Sequence, residues 1–187
     1  MSKPFKVAFI GAGGIAGAHA NNYKKIEGVE LVAAADVNAA GLAKFKENQG
    51  VLRTYIDFKE MLAKETDVDA VSVCTPNGLH APNTIAALEA GKHVIVEKPM
   101  GMTAAECNAM IAAAEKAKKV LTCGFQWRFD PRTQLIRKHV ESGAFGKVLH
   151  VRCQALRRRG IPNWGVFGRK DLQGGGPMID IGVHVME

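Results

Sequence analysis

The sequence predicts an α/β protein: a doubly wound parallel sheet over residues 1–123, followed by the start of an α+β unit over residues 124–187. Three observations predict it. Short, continuously apolar runs alternate with helix-like segments through the first two thirds of the chain. A glycine-rich turn, "GAGG", follows the first of those runs. The alternation stops near Cys123, and the charge pattern changes there. Continuous apolar runs are typical of parallel strands covered on both faces, and repeated βαβ units wind such strands into one sheet.

The elements follow in order. "FKVAFIG" reads as the first strand, with a helix after it over about residues 14–26. "VELVAAAD" is the second strand, and an Ala-, Lys- and Glu-rich helix spans about residues 39–48. Asp57, with Glu60 three residues on, resembles a capping box opening a helix over about residues 58–64. "DAVSVCTP" is a strand stopped by Pro76, and its helix runs to about Ala90 with Gly91 at the C′ position. "KHVIVEKP" is the next strand. Thr103 and Glu106 cap a helix that runs to about Lys118, and "KVLTCG" closes the series. Asp130-Pro131 then opens a helix that Gly143 ends. A long strand is expected over about residues 147–157, an irregular stretch around "IPNWGVFGRKDL", a loop at Gly174–Gly176, and a last helix with Pro177 in its first turn. No internal repeat or low-complexity linker interrupts the chain.

Composition narrows the class. The chain has 187 residues, 47% apolar and 23% charged, as in globular proteins. No apolar run is long enough to span a membrane. Lys3, Lys6 and "AHA" at 18–20 imitate a targeting signal, but the glycines between them fit a turn better, so a cytoplasmic location is expected. Cys74, Cys107, Cys123 and Cys153 lack CxxC spacing and read as small buried hydrophobes, not as a metal or disulfide set. The net charge is +7, and its excess is local: eleven Lys and Arg against two acids between Phe125 and Lys170. Without interleaved aromatics this patch argues against a nucleic-acid partner. An anionic ligand or a solvated face accounts for it.

The glycine turn carries the first chemistry. Gly11, Gly13 and Ala16 fit the pattern G-x-G-x-x-[G/A] between a strand and a helix. Gly11 permits the tight turn, Gly13 lets the backbone approach a pyrophosphate, and Ala16 lets helix and strand pack closely. Gly14 and Ile15 open the helix whose free N–H groups face the phosphates. Asp36 lies 23 residues beyond Gly13, close to the ~20 expected of a carboxylate that bonds the adenosine ribose. Its charge repels a 2′-phosphate, and Val37 and Asn38 supply no cation, which favours NAD over NADP. A helix N-cap is the alternative role for Asp36.

"VIVEKPMG" is a buried-looking strand that ends on Glu97, Lys98 and Pro99. A surface turn is one reading, since lysine is usually exposed. A lysine presented at the carboxyl edge of a sheet is the other. Lys98–Pro99 is also a candidate cis peptide. Asp180 and His184 are four apart on the last helix and share a face. Alone they read as a surface pair or as two metal ligands. His80 and His93 read first as helix and strand residues, and Glu97 as a structural carboxylate.

Four motifs occur in a telling order: "GAGGIAGAH", "CTPNGLHAPNTIAALEAGKHVIVEKP", "GFQWRFDP" and "GGGPMIDIGVHVME". Together they resemble the glucose–fructose oxidoreductase, inositol dehydrogenase and MocA oxidoreductase family over nearly the whole chain. The resemblance implies a Rossmann-type domain followed by a substrate domain. It implies an NAD(P)-dependent oxidoreductase that moves a hydride between the cofactor and a sugar, a polyol or a related hydroxyl compound. It makes Lys98, Asp180 and His184 the catalytic group; their chemistry assigns His184 as proton acceptor, Lys98 as polariser and relay, and Asp180 as orienting or relaying carboxylate. It places Thr75, Pro76 and Asn77 beside the cofactor, and with them His80, Glu97, Lys98 and Arg128. No metal is expected. Hydride transfer from a carbinol needs a base and a cation near the developing alkoxide, which imidazole and ammonium supply.

Two departures stand out. The family's second domain is a large open sheet, more than residues 124–187 can build, so the chain is expected to be truncated there. A homo-oligomer is expected when full length, and a catalytically idle dinucleotide-binding fragment or sensor is the alternative function. Where relatives often show "GYNRRF" this chain has "GFQWRF", with Gln126 and Trp127 at the changed positions. Trp164 and Arg157–Arg159 are candidate substrate contacts.

Overall fold

A computed structural model describes residues 3–156, 160 and 165–187. Six parallel strands form one sheet in the order β3-β2-β1-β4-β5-β6. They are β1 (Phe5–Ile10), β2 (Val29–Ala35), β3 (Arg53–Tyr55), β4 (Ala70–Val73), β5 (His93–Val96) and β6 (Leu121–Cys123). The helices between them are α1 (Gly14–Tyr23), α2 (Ala39–Gln49), α3 (Phe58–Lys64), α4 (His80–Glu89) and α5 (Ala104–Ala117). This is the Rossmann-type α/β fold, with the strand order reversing between β1 and β4.

Alternation along β1 divides the core into two layers. Val7 and Phe9 pack with Ala16 and Ala20 of α1 and with Leu42 and Phe45 of α2. The Phe9 ring meets Phe45 edge-on at 5.3 Å between centroids. Ala8 and Ile10 face the other way, toward Met61 of α3, Leu88 of α4 and Met110 of α5. A side-chain period of two in a strand produces this split.

Capping chemistry sets several boundaries. Thr103 and Glu106 form a reciprocal capping box at α5. Asp57 caps α3 by accepting from the Lys59 N–H, while Glu60 pairs with Lys64 at 2.6 Å. Asn38 caps α2 through the Gly41 N–H, which leaves Asp36 free of that role. Gly91 follows α4 at φ +76°, and Lys92 behind it is buried with its ammonium donating to the carbonyls of Glu65, Thr66 and Val68.

Beyond β6 the chain behaves differently. A 3₁₀ turn (Gln126–Phe129) leads into α6 (Pro131–Glu141), in which no residue is buried. The long strand expected over 147–157 is not formed: residues 147–156 are irregular and exposed. A strand needs a ladder partner for its N–H and C=O groups, and among the described residues no strand follows β6 to supply one. The Arg157–Arg159 and Trp164 expectations lie outside the described residues. α7 (Lys170–Gln173), a π-helical turn (Met178–Gly182) and α8 (Val183–Met186) complete the chain, so the expected last helix starts on π geometry. Of the cysteines, Cys74 is buried and Cys107 and Cys123 are half-buried, but Cys153 is exposed, lying in an irregular segment that joins no sheet. β3 and α7 were not anticipated; each is a few residues long and carries no periodic signal.

The core therefore sits in the first two thirds of the chain. Leu88→Ala, at a fully buried position, is expected to cost about 2–5 kcal/mol. Leu135→Ala in exposed α6 is expected to change stability by less than about 0.5 kcal/mol. Urea unfolding midpoints of the two variants check this contrast.

Candidate active site

The β1–α1 turn is built for close backbone approach. Gly11 has φ +91°, and a Cβ there would come within 2.6 Å of the Cys74 carbonyl oxygen. A Cβ at Gly13 would meet nothing within 4 Å, and Gly13, Gly14 and Ile15 are all exposed. α1 begins without a side-chain cap and without an acid in its first turn, whereas α2, α3, α5 and α6 all start on capping side chains. An open, uncapped helix N-terminus of ten residues offers N–H donors and partial positive charge to a phosphate group. Asp36 ends β2 beside this turn. Its carboxylate accepts from the N–H groups of Ala12 and Asn38, both at 2.8 Å. The residues present thus fit a dinucleotide.

Thr75, Pro76 and Asn77 form the loop after β4, half-buried across the sheet edge from Gly11. The Asn77 amide donates to the Gln173 carbonyl at 3.0 Å. A Cβ on Gly78 would lie 3.1 Å from the Asp171 carbonyl oxygen, so α7 packs directly on this loop. His80 lies beneath it, 1% exposed, with its two ring nitrogens 2.6 Å from the Pro99 carbonyl and 2.9 Å from the Thr75 carbonyl. Burial holds its pKa below the ordinary value. A neutral imidazole has one N–H to give, so His80 bonds one of the two carbonyls at a time.

Lys98 follows β5 at the carboxyl edge of the sheet, and the Lys98–Pro99 peptide is cis, as the sequence suggested. Its ammonium donates to Asp180 twice, to the backbone carbonyl at 2.7 Å and to Oδ1 at 2.9 Å. His184, one turn further on, stacks on the Trp127 ring at 4.6 Å and meets Phe125 edge-on at 6.3 Å. Its Nδ1 is buried with no hydrogen-bond partner among the described residues. Burial, and then the positive charge of Lys98, lower the pKa of His184, so its imidazole is neutral near neutral pH. The three residues named as the catalytic group are thus brought to one place. Arg128 pairs with Glu187, next to the end of α8.

A buried ion pair lies behind Lys98. Glu97 accepts from His19 Nε2 at 2.9 Å, and its other oxygen accepts from the Lys98 N–H at 3.1 Å. The second nitrogen of His19 lies 2.8 Å from Ser72 Oγ and 3.8 Å from Cys74 Sγ. Burial opposes the charge on His19, but its bonds to Cys74 and Glu97 outweigh this and raise its pKa to about 10. Burial likewise opposes the charge on Glu97, and the contact with His19 holds its carboxyl below the ordinary range. Gly124 leaves room for this carboxylate, since a Cβ there would stand 3.0 Å from Oε1. His19, Ser72, Gly124 and Trp127 were not singled out from the sequence as site residues. His19 had a readable signal: it sits in the turn motif, on the helix that packs over β4.

Residues 5–125 match the family model described as an oxidoreductase family with an NAD-binding Rossmann fold, and residues 133–187 match the GFO/IDH/MocA C-terminal domain. A D-glucoside 3-dehydrogenase of Escherichia coli (strain K12) is 43% identical over 187 residues, which is all of this chain and 53% of that protein. A levoglucosan dehydrogenase solved with NADH superposes with TM-score 0.84 and 28% identity, over 98% of this chain and 52% of that one. A Lactobacillus casei scyllo-inositol dehydrogenase solved with NAD(H) and scyllo-inositol gives TM-score 0.71 and 32% identity, over 77% and 43%. Fold and turn together define an NAD-binding Rossmann domain. The chain belongs to the GFO/IDH/MocA oxidoreductase family. It spans about half the length of the curated relatives it matches. Among the described residues no helix is long and apolar enough to cross a membrane, and no His/Cys/Asp/Glu group could hold a metal ion.

The His19–Glu97 pair has a defined pH signature. The His19 pKa is raised in the folded state, so its stabilisation is complete below about 6.5 and is lost as pH rises toward about 10. The Glu97 pKa is depressed, so its contribution is present above about 4.5 and is lost as pH falls through the lowered value. Thermal melts should show Tm falling between pH 6.5 and 10, and His19→Gln should flatten that slope. An unchanged slope in the variant would contradict the pairing.

Proposed function

We propose that the protein is an NAD-dependent dehydrogenase acting on a CH–OH carbon of a sugar or cyclic polyol. One observation carries the reading: the Lys98 ammonium on Asp180, with an unpartnered, neutral His184 beside it, at the sheet edge that holds the uncapped α1 turn. Residues 1–123 serve as the cofactor half, and residues 124–187 open the substrate half. The names of the relatives, a glucoside, levoglucosan and inositol dehydrogenase among them, support ring-shaped polyhydroxy substrates.

A bound oxidised dinucleotide would supply the hydride acceptor for a carbinol carbon, with a carbonyl as the product. The chain's own groups do the rest. The α1 N-terminus would hold the pyrophosphate, and Asp36 would accept from the ribose hydroxyls. Asp36 also repels a 2′-phosphate, with Val37 and Asn38 offering no compensating cation, so NAD is preferred to NADP. Thr75, Pro76 and Asn77 line the cofactor's approach. His184 accepts the hydroxyl proton, since its lowered pKa keeps the imidazole neutral and able to act as a base. Lys98 donates to the substrate oxygen as negative charge builds on it, and Asp180 orients that ammonium.

NADH release with NAD and a panel of glucosides, anhydrosugars and inositols tests the reading. Turnover on at least one substrate is expected, with kcat/KM for NAD at least about tenfold above that for NADP. Lys98→Ala is expected to lower kcat by about 10²–10³. NAD binding by calorimetry without turnover on any substrate would favour an idle dinucleotide-binding module instead.

A further inference from the structure

We infer that His19 is a positioning residue for Lys98: by holding the Glu97 carboxylate, it leaves the Lys98 ammonium to Asp180. The inference rests on the reading of Lys98 as the reacting-site lysine. The problem it solves is local. Glu97 is the immediate neighbour of Lys98, is 7% exposed, and is ionised. A buried carboxylate without a partner takes the nearest cation, because its desolvation is costly. The nearest long, flexible cation in sequence is Lys98 itself.

The structure blocks that capture at both oxygens. Oε1 accepts from His19 Nε2 at 2.9 Å, and Oε2 accepts from the Lys98 backbone N–H at 3.1 Å. Gly124 lets the carboxylate sit in this place, since any Cβ there would crowd Oε1 at 3.0 Å. His19 is itself fixed, since Ser72 Oγ lies 2.8 Å from Nδ1. The result is two separate pairs, His19 with Glu97 and Lys98 with Asp180, at 2.9 Å each. The first pair also joins α1, whose N-terminus opens at the glycine turn, to the end of β5, which carries the lysine.

The experiment reads the Lys98 side chain by NMR of protein labelled with ¹³C at lysine Cε. Lys98→Arg assigns the signal, and Asp180→Asn marks its position once the negative charge of the Asp180 carboxylate is removed. In His19→Gln the Lys98 signal should move toward the Asp180→Asn position, because Glu97 is released to take the ammonium. In the double variant His19→Gln/Glu97→Gln it should return toward that of the unaltered protein. Such rescue by a second truncation is not expected of a residue that merely packs. A His19→Gln signal that stays in place, or a double variant that fails to return, overturns the proposal. If His19→Gln does not fold, Glu97→Gln alone decides: the Lys98 signal should keep its Asp180-bound position, and its appearance at the Asp180→Asn position overturns the proposal. Kinetics separate this inference from the dehydrogenase reading. On a substrate the unaltered protein turns over, His19→Gln should lower kcat by about tenfold with KM for NAD little changed. No turnover by the unaltered protein removes the dehydrogenase reading and leaves the NMR result to judge the inference.

Discussion

Everything at the site depends on the reversal of strand order at the centre of the sheet. β1 pairs with β2 on one side and with β4 on the other, so the loops after β1 and β4 diverge and leave a crevice between them. Gly11 is the hinge point of that crevice. Its missing Cβ is what lets the first loop cross the Cys74 carbonyl, and no L side chain fits there without displacing backbone. The glycine turn, the Thr75 loop and Lys98 are far apart in sequence and adjacent in space because three successive parallel strands, β1, β4 and β5, end at one edge.

The site spans two regions with different physics. Its first half rests on the double-layered core, where Phe9, Met61, Leu88 and Met110 are fully buried and the backbone has little freedom. Its second half stands on α7, the π-helical turn and α8, in which no residue is buried. Polar contacts tie the halves together: Lys98 with Asp180 and Asn77 with Gln173. The π-helical turn carries Asp180, and such turns are frequent where a helix must present a functional side chain.

Much of this was legible in the sequence because it rests on short-range rules. Continuous apolar runs located five of the six strands, and Thr103, Asp57 and Gly91 marked helix ends by chemistry that acts within a few residues. β3 escaped because three residues, Arg53–Tyr55, carry no period; its place is decided by pairing with β2. The strand expected at 147–157 had the right composition, but composition cannot provide a ladder partner. At the site, the motif pattern brought Lys98, Asp180 and His184 to notice. The supporting groups did not stand out, since the link from His19 to Glu97 spans 78 residues and is visible only once α1 lies across the sheet. Trp127 reads as a departure from its relatives in sequence, and as the wall against which His184 stacks in three dimensions.

The short outer strands have a consequence of their own. β3 and β6 form the two margins of the sheet, and each is three residues long. A margin that short exposes few free N–H and C=O groups, so it makes a poor template for another chain to extend. On β3, Arg53 is further held by a bidentate contact with Glu65 at 2.5 and 2.6 Å, which keeps a charged group on the rim. Strands of only three residues at both margins thus work as a guard against sheet-to-sheet association.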